Sequence, residues 1–263
     1  MAYRDGCFHP LSAFLCLLVA VFAQVASNFA NDYFDFKNGA DTAERLGPER
    51  AVAQGWIAPK DMLIGTFVAL GLACVAGLWL VSISDWRLIL VGIAIAFCVL
   101  AYSAGPFPLA YNGLGDVCVL IFYGVIPVCF TYYVQAFSIP LLVKLMSVAI
   151  GLLGVNILVV NNYRDYAQDK AARKRTSIVL LGRGFGKVLY IFNQVVALAL
   201  VFPFLRVCGM LSLALFCLWF VMSVFTTKQL FILEGRSLNR TLGETARNLF
   251  VYAIALSSCF LTL

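Results

Sequence analysis

L141-L-V-K-L-M-S-V-A-I-G-L-L-G-V-N-I-L-V-V-N-N-Y-R-D165 is an apolar run closed by two asparagines, a tyrosine, an arginine and an aspartate. Its apolar part, 140–162, is long enough to cross roughly 30 Å of hydrocarbon as a helix. An earlier run, 10–31, closes in the same manner with N31-D-Y-F-D35 and leads on to Asp41, as the later one leads on to Asp169. Charge at a membrane boundary is costly unless it does something, so the two carboxylate clusters are where function is expected.

The rest of the chain agrees with a membrane setting. With 62% hydrophobic and 12% charged residues and a mean hydropathy of +0.93, the 263 residues have membrane composition. The short alternating segments of a transmembrane barrel are absent. Further apolar stretches fall near 61–82, 87–104, 115–134, 188–206, 207–226 and 246–263, which makes eight candidate spans, those at 87–104 and 246–263 being short. Backbone groups in lipid must be satisfied within their own segment, so the expected fold is all-α, a polytopic transmembrane helical bundle forming a single domain over 1–263. Polar connections are expected at 32–60, 163–187 and 227–245, with a Gly/Pro-rich turn at 104–114. The nine cysteines lie mostly inside apolar runs without a C-x-x-C pair and read as packing residues. His9 is the only histidine, which argues against hydrolysis by a Ser or Cys nucleophile with a His base. The run at 10–31 passes through A26-S-N-F-A-N-D32 without the polar break of a cleaved signal peptide.

Four spans separate the clusters, so both emerge on one side. Of the nineteen Lys and Arg residues, Arg4, Arg87, Lys144 and Arg206 alone fall on the other side, and the positive-inside rule puts the clusters on the cytoplasmic face. This bias accounts for most of the formal charge of +6, with membrane lipid headgroups as partners; neither nucleic acid nor an obligate protein partner is implied.

Asp32 and Asp35 are three apart and share a helical face, with Asn28 one turn earlier and Asn31 alongside. Asp165 and Asp169, four apart, share a face in the same way, near Asn161, Asn162 and Arg164. Carboxylates this close repel one another, so a cation is expected with them. Carboxylate and amide oxygens suit Mg²⁺, and Mg²⁺ suits diphosphate. Lys170, Arg173, Lys174 and Arg175 surround the second cluster and offer contacts to phosphate oxygens. A site built into helix ends above an apolar bundle fits a lipid with a diphosphate head better than a water-soluble substrate. Asp116, in G113-L-G-D116, is either a helix cap or part of a cavity wall, while Asp61 and Asp85 read as interfacial caps. Two competing readings are a transporter, which requires functional polar groups near the midplane such as Asn156, and a lipid-diphosphate phosphatase, which requires access for water.

Four ordered stretches carry a resemblance: S27-N-F-A-N-D-Y-F-D-F-K-N-G-A-D41, G47-P-E-R-A-V-A-Q-G55, G105-P-F-P-L-A-Y-N-G-L-G-D116, and N161-N-Y-R-D-Y-A-Q-D169 leading to Lys174 and Thr176, with a final L180-L-G-R183. Together they resemble the UbiA superfamily of intramembrane aromatic prenyltransferases. The spacing from Asp35 to Asp41 is most similar to the branch acting on 1,4-dihydroxy-2-naphthoate in menaquinone biosynthesis; 4-hydroxybenzoate and homogentisate are the alternative acceptors. The resemblance implies a multi-pass enzyme of the bacterial inner membrane using an isoprenoid diphosphate donor, an aromatic acceptor and Mg²⁺. Carried over, it assigns the metal to Asp32, Asp35, Asp41, Asp165 and Asp169. Catalysis falls to Asp32, Asp35, Asp165 and Asp169, and cofactor or diphosphate contact to Asn28, Asn31, Arg50, Asn162, Lys170 and Lys174. Two features depart from the family. Its members have nine transmembrane helices with the first motif after the second, whereas one span precedes Asp32 here, so the domain is expected to lack the first helix. Many relatives also have Gly-Lys where this chain has Arg173-Lys174.

Overall fold

Proline opens each of the first two long helices, at the position where a missing N–H leaves no hydrogen bond unmade. They are α1 (Pro10–Lys37) and α2 (Pro59–Ser82) in a computed structural model that describes residues 1–41 and 45–262. There follow α3 (Leu88–Ala101), α4 (Gly115–Ala136), α5 (Leu141–Arg164), the short α6 (Tyr166–Ala171) and α7 (Ser177–Leu181), then α8 (Arg183–Val201), α9 (Met210–Ile232) and α10 (Leu238–Thr262). Among the described residues there is no strand, only an isolated bridge between Asn112 and Arg175.

Long helices lie at all eight places where the apolar runs put them. Six are long and apolar enough to cross a membrane. Of the others, α3 is apolar but has 14 residues, about 21 Å of helix. α10 carries Arg240, Glu244 and Arg247 in its first half. The apolar runs at 188–206 and 207–226 part between Pro203 and Gly209, where a 3₁₀ turn over Phe202–Phe204 ends the run of α8.

The structure corrects the connections. Helix continues where polar loop was expected, through Lys37 in α1, Arg164 in α5 and Ile232 in α9, and α10 begins at Leu238. Helical hydrogen bonding does not stop where the apolar side chains do, so the polar ends project as rigid posts.

The helices form two halves. In the first, Leu15 of α1 packs with Ala76 and Leu80 of α2, Leu88 of α3 and Val134 of α4. In the second, Met146 and Leu153 of α5 meet Ala197 of α8, Trp219 of α9 and Tyr252 of α10. The halves are joined where α4 crosses α5: a Cβ added to Gly124 would lie 2.3 Å from the Gly151 Cα, so only glycine allows this approach. A π-helical turn over Leu120–Val125 accompanies the crossing.

Asn156 does not stand alone in the second half. Its Oδ1 accepts from Asn193 Nδ2 at 2.9 Å, and its Nδ2 donates to the Tyr190 carbonyl at 3.0 Å. Tyr190 Oη donates to Thr226 at 3.0 Å, and Asn248 Nδ2 donates to the same threonine at 3.1 Å. These neutral groups tie α5, α8, α9 and α10 together, the usual use of amides between membrane helices. Phe14, Leu17, Val75, Leu90, Phe97 and Phe192 are exposed on the outer surface, as a lipid-facing belt requires.

Candidate functional site

The site lies between the halves, on the projecting ends of α1 and α5. α1 ends at Asn38, and Gly39 takes φ +70°, the left-handed geometry that glycine enters without cost. The Ala40 and Asp41 amides then both donate to the Asp35 carbonyl, at 2.8 and 3.2 Å. This turn folds Asp41 back beside Asp35. Asp35 receives the Tyr111 hydroxyl at 2.9 Å and the Lys174 ammonium at 3.1 Å, joining α1 to the 109–111 turn and to the far wall. Asp41 pairs with Arg45 and lies 3.5 Å from Arg50. Asn31 accepts from Ser103 Oγ at 2.5 Å.

Asp32 shares the helical face expected of it but meets different partners. Its two oxygens accept the Ala51 and Val52 amides at 3.1 and 3.3 Å, anchoring the loop that presents Arg50.

The second wall is built on Arg164, whose side chain has no exposed surface. It grips Asp165 through two bonds of 2.7 and 2.6 Å, donates to Asn161 at 2.8 Å, and reaches Asn239 of α10 at 2.7 Å. Asn239 in turn donates to the Leu46 carbonyl at 2.9 Å. A Cβ on Gly47 would sit 2.5 Å from this guanidinium, so glycine is needed where the loop passes over it. Beyond Asp165, α6 carries Asp169 and ends in a left-handed turn: Arg173 donates to the Lys170 carbonyl and Lys174 to that of Asp169, at 3.2 and 2.8 Å. Arg173 has φ 58°, a left-handed geometry that glycine enters more readily. The turn aims Lys174 at Asp35.

Asn31, Asp35, Asp41, Arg50, Asn162, Asp165, Asp169 and Lys174 thus line one cavity of about 90 Å³. Three expected members stand off its wall. Asp32 holds the loop, exposed Asn28 accepts from Gln24 at 3.2 Å, and exposed Lys170 lies over the Tyr166 ring at 6.0 Å. Arg173 and Arg175 are exposed as well. Sequence reasoning missed Arg45, Tyr111 and Gln168 on or beside this wall, and Asn239 behind it. Tyr111 lay in a quoted motif, whereas nothing local marked Asn239.

Burial pushes the Asp169 carboxyl up to about 7, with Lys174 opposing and Asp165 adding to the rise. Asp41 is raised too, by burial, with Arg45 opposing. Burial disfavours the charged form of Lys174, but Asp35 and Asp169 outweigh it and hold its pKa above the ordinary value. Burial, then the nearby Asp35 charge, raise the Tyr111 phenol. Among the described residues no three carboxylates close on a single point. Mg²⁺ is ordinarily held by one or two carboxylates, the rest of its shell being water and substrate phosphate. The Asp41 Oδ2 is buried without a hydrogen-bond donor, with the Arg50 Nε 3.5 Å away, and has lone pairs open to a cation.

The family model for the UbiA prenyltransferase family matches residues 1–260. The chain is 38% identical to 1,4-dihydroxy-2-naphthoate octaprenyltransferase of Haemophilus influenzae, over 70% of this chain and 61% of that one. It is 36% identical to the protein of the same name from Escherichia coli, over 69% and 61%. It therefore spans about three-fifths of the length of these curated relatives. A UbiA homolog from Archaeoglobus fulgidus, solved bound to DMAPP and Mg²⁺, superposes with a TM-score of 0.67 at 15% identity, covering 97% of this chain and 92% of that one. The fold is shared, and the family match takes in both aspartate clusters and nearly all of the sequence between and around them. The chain belongs to the UbiA prenyltransferase family.

Proposed function

We propose that this protein transfers a polyprenyl group from an isoprenoid diphosphate to 1,4-dihydroxy-2-naphthoate, giving the prenylated naphthalenediol that is the reduced form of demethylmenaquinone, at the cytoplasmic face of a bacterial inner membrane. One observation carries the reading: Asp35 and Asp41 face Asp165 and Asp169 across a single cavity that also holds Lys174 and Arg50, at the end of an apolar bundle. Cations and carboxylates in that mixture match a diphosphate with its metal; the bundle matches the isoprenoid.

Asp35, Asp41, Asp165 and Asp169 would hold Mg²⁺. When bound, Mg²⁺ supplies charge neutralisation for the departing diphosphate. Lys174 and Arg50 are placed to bind diphosphate oxygens and to take up charge as the allylic C–O bond lengthens. Arg164 keeps Asp165 oriented, and Asp32 keeps the Arg50 loop in place. The surrounding helices exclude water from the allylic centre, leaving the aromatic ring as the nucleophile. The naphthoate acceptor is supported by the Asp35-to-Asp41 spacing and by the names of the curated relatives. The cytoplasmic orientation is supported by the distribution of basic residues.

The test is a product assay by mass spectrometry on membranes containing the protein, with Mg²⁺, polyprenyl diphosphates of several lengths, and naphthoate, 4-hydroxybenzoate or homogentisate as acceptor. Prenylated naphthoate product is expected; prenylation of another ring alone would overturn the acceptor.

A further inference from the structure

Asp116 is the cavity carboxylate that belongs to neither aspartate cluster. It lies at the start of α4 with Gly115, on the same wall as Tyr102, Leu158 and Ser177. The structure decides between the two roles open to it in the sequence: it faces the cavity. A Cβ on Gly115 would lie 3.3 Å from both Leu158 Cδ2 and the Tyr102 hydroxyl. Leu158 is one turn before Asn161 and Asn162 on α5, so Asp116 sits a turn deeper toward the apolar bundle than the second cluster.

Its surroundings differ from those of the other acids. Asp35 has Lys174, Asp41 has Arg45 and Arg50, and Asp165 has Arg164. Asp116 has no ion-pair partner among the described residues. Its Oδ1 is buried with no hydrogen-bond donor, and the buried Ser177 hydroxyl lies beside the carboxyl. A buried acceptor without a donor is destabilising unless a ligand supplies one. In the prenyltransferase reading the diphosphate and its cations belong with the outer carboxylates and Lys174, which leaves a hydroxyl of the ring as the group at this depth.

We propose that Asp116 Oδ1, with Ser177 beside it, binds a ring hydroxyl of the aromatic acceptor and takes its proton during transfer. This rests on the prenyltransferase reading above. As the allylic C–O bond breaks, its electron pair leaves with the diphosphate. The ring hydroxyl loses its proton to Asp116, the freed pair enters the ring, and the ring carbon bearing the carboxylate forms the new C–C bond. That carboxylate departs as CO₂, its bonding pair restores the aromatic ring, and Asp116 returns the proton to the ring oxygen. The sum is acceptor carboxylate plus prenyl diphosphate giving prenylated diol, CO₂ and diphosphate.

The experiment compares wild type, Asp116→Asn and Asp116→Glu in nanodiscs, measuring binding of radiolabelled geranylgeranyl diphosphate with Mg²⁺ and, separately, transfer to naphthoate. D116N is expected to bind donor within about threefold of wild type while kcat falls by about 10²- to 10⁴-fold, the usual worth of a positioned proton acceptor, and D116E to recover part of the rate. Transfer by D116N within threefold of wild type overturns the role, and so does loss of donor binding in step with transfer, which would place Asp116 in the metal site. A measurement on wild type alone is independent of variant folding. The two mono-O-methyl ethers of the acceptor are offered in turn, and at least one should be transferred at a rate as low as D116N gives with the free diol. Full rates on both ethers overturn the proposal. A wild-type protein that binds donor yet prenylates no naphthoate removes the underlying function itself, an outcome read without any variant.

Discussion

Arg164 is the most consequential side chain that the sequence left unassigned, and replacing it tests how the second wall is held. In Arg164→Met the flexible apolar chain fills much the same volume, while four hydrogen bonds are lost, two to Asp165 and one each to Asn161 and Asn239. The lost bonds matter less than what remains. Asp165 stays buried at 6% exposure with no counter-charge, and removing one partner of a buried pair costs about 3–5 kcal/mol. For a chain of this size that is a fall in Tm on the order of 10 °C. Arg164→Lys keeps the charge but not the fork that spans both oxygens and both asparagines, so it should recover roughly half of the loss. Arg164→Met combined with Asp165→Asn removes the stranded charge, and should be more stable than Arg164→Met alone by about 1–3 kcal/mol. Scanning fluorimetry in detergent measures all three. A Tm for Arg164→Met within 3 °C of wild type, or a double variant whose loss is the sum of the two single losses, would refute the reasoning.

Further outcomes at three residues are expected. Asp32→Asn keeps one acceptor for the Ala51 and Val52 amides and loses the other, so it should raise the KM for donor about tenfold through the Arg50 loop while leaving the Mg²⁺ response intact; steady-state kinetics at varied Mg²⁺ would show a shifted metal requirement if Asp32 were instead a ligand. Asp169, with its carboxyl at about 7, must lose a proton to bind metal, so half-saturating Mg²⁺ should be about tenfold higher at pH 6 than at pH 8. Because this carboxyl binds its proton more tightly folded than unfolded, the metal-free protein should gain stability from it as pH falls from 7 toward 4 and lose it as pH rises through 7, and Asp169→Asn should abolish that slope in thermal melts. Arg173→Gly should relieve a left-handed residue worth about 1–2 kcal/mol, offset in part by glycine's greater chain entropy, and raise Tm by a few degrees; an unchanged or lower Tm would show the turn to be unstrained.

The bundle was legible in the sequence because lipid allows few alternatives: apolar runs such as 140–162 and 61–82 can only be helices. Their true ends were not. Residues 32–37 carry two aspartates and a lysine and 238–245 carry Asn239, Arg240 and Glu244, and nothing in their composition says that the helix continues through them. The cavity wall was legible to the extent that four spans separate the two clusters and bring them to one side, and Asp35, Asp165 and Asp169 line the cavity together. Asp32 has the same spacing signal, yet the return of the loop at Ala51 and Val52, nearly twenty positions on, decides what its carboxylate meets. The Arg164–Asn239 bond, with 75 positions between its partners, is tertiary information of the same kind. Asp116 was left open between cap and wall for this reason as well.

The central claim is that the two aspartate clusters act as one metal-diphosphate site. The most direct measurement is Mg²⁺-dependent transfer of an isoprenoid to 1,4-dihydroxy-2-naphthoate by wild type, Asp35→Asn and Asp165→Asn, each confirmed as membrane-inserted and each assayed for Mg²⁺-dependent donor binding. Wild-type turnover with loss of donor binding and of transfer in both variants is the predicted result. Normal turnover by either variant would contradict the account.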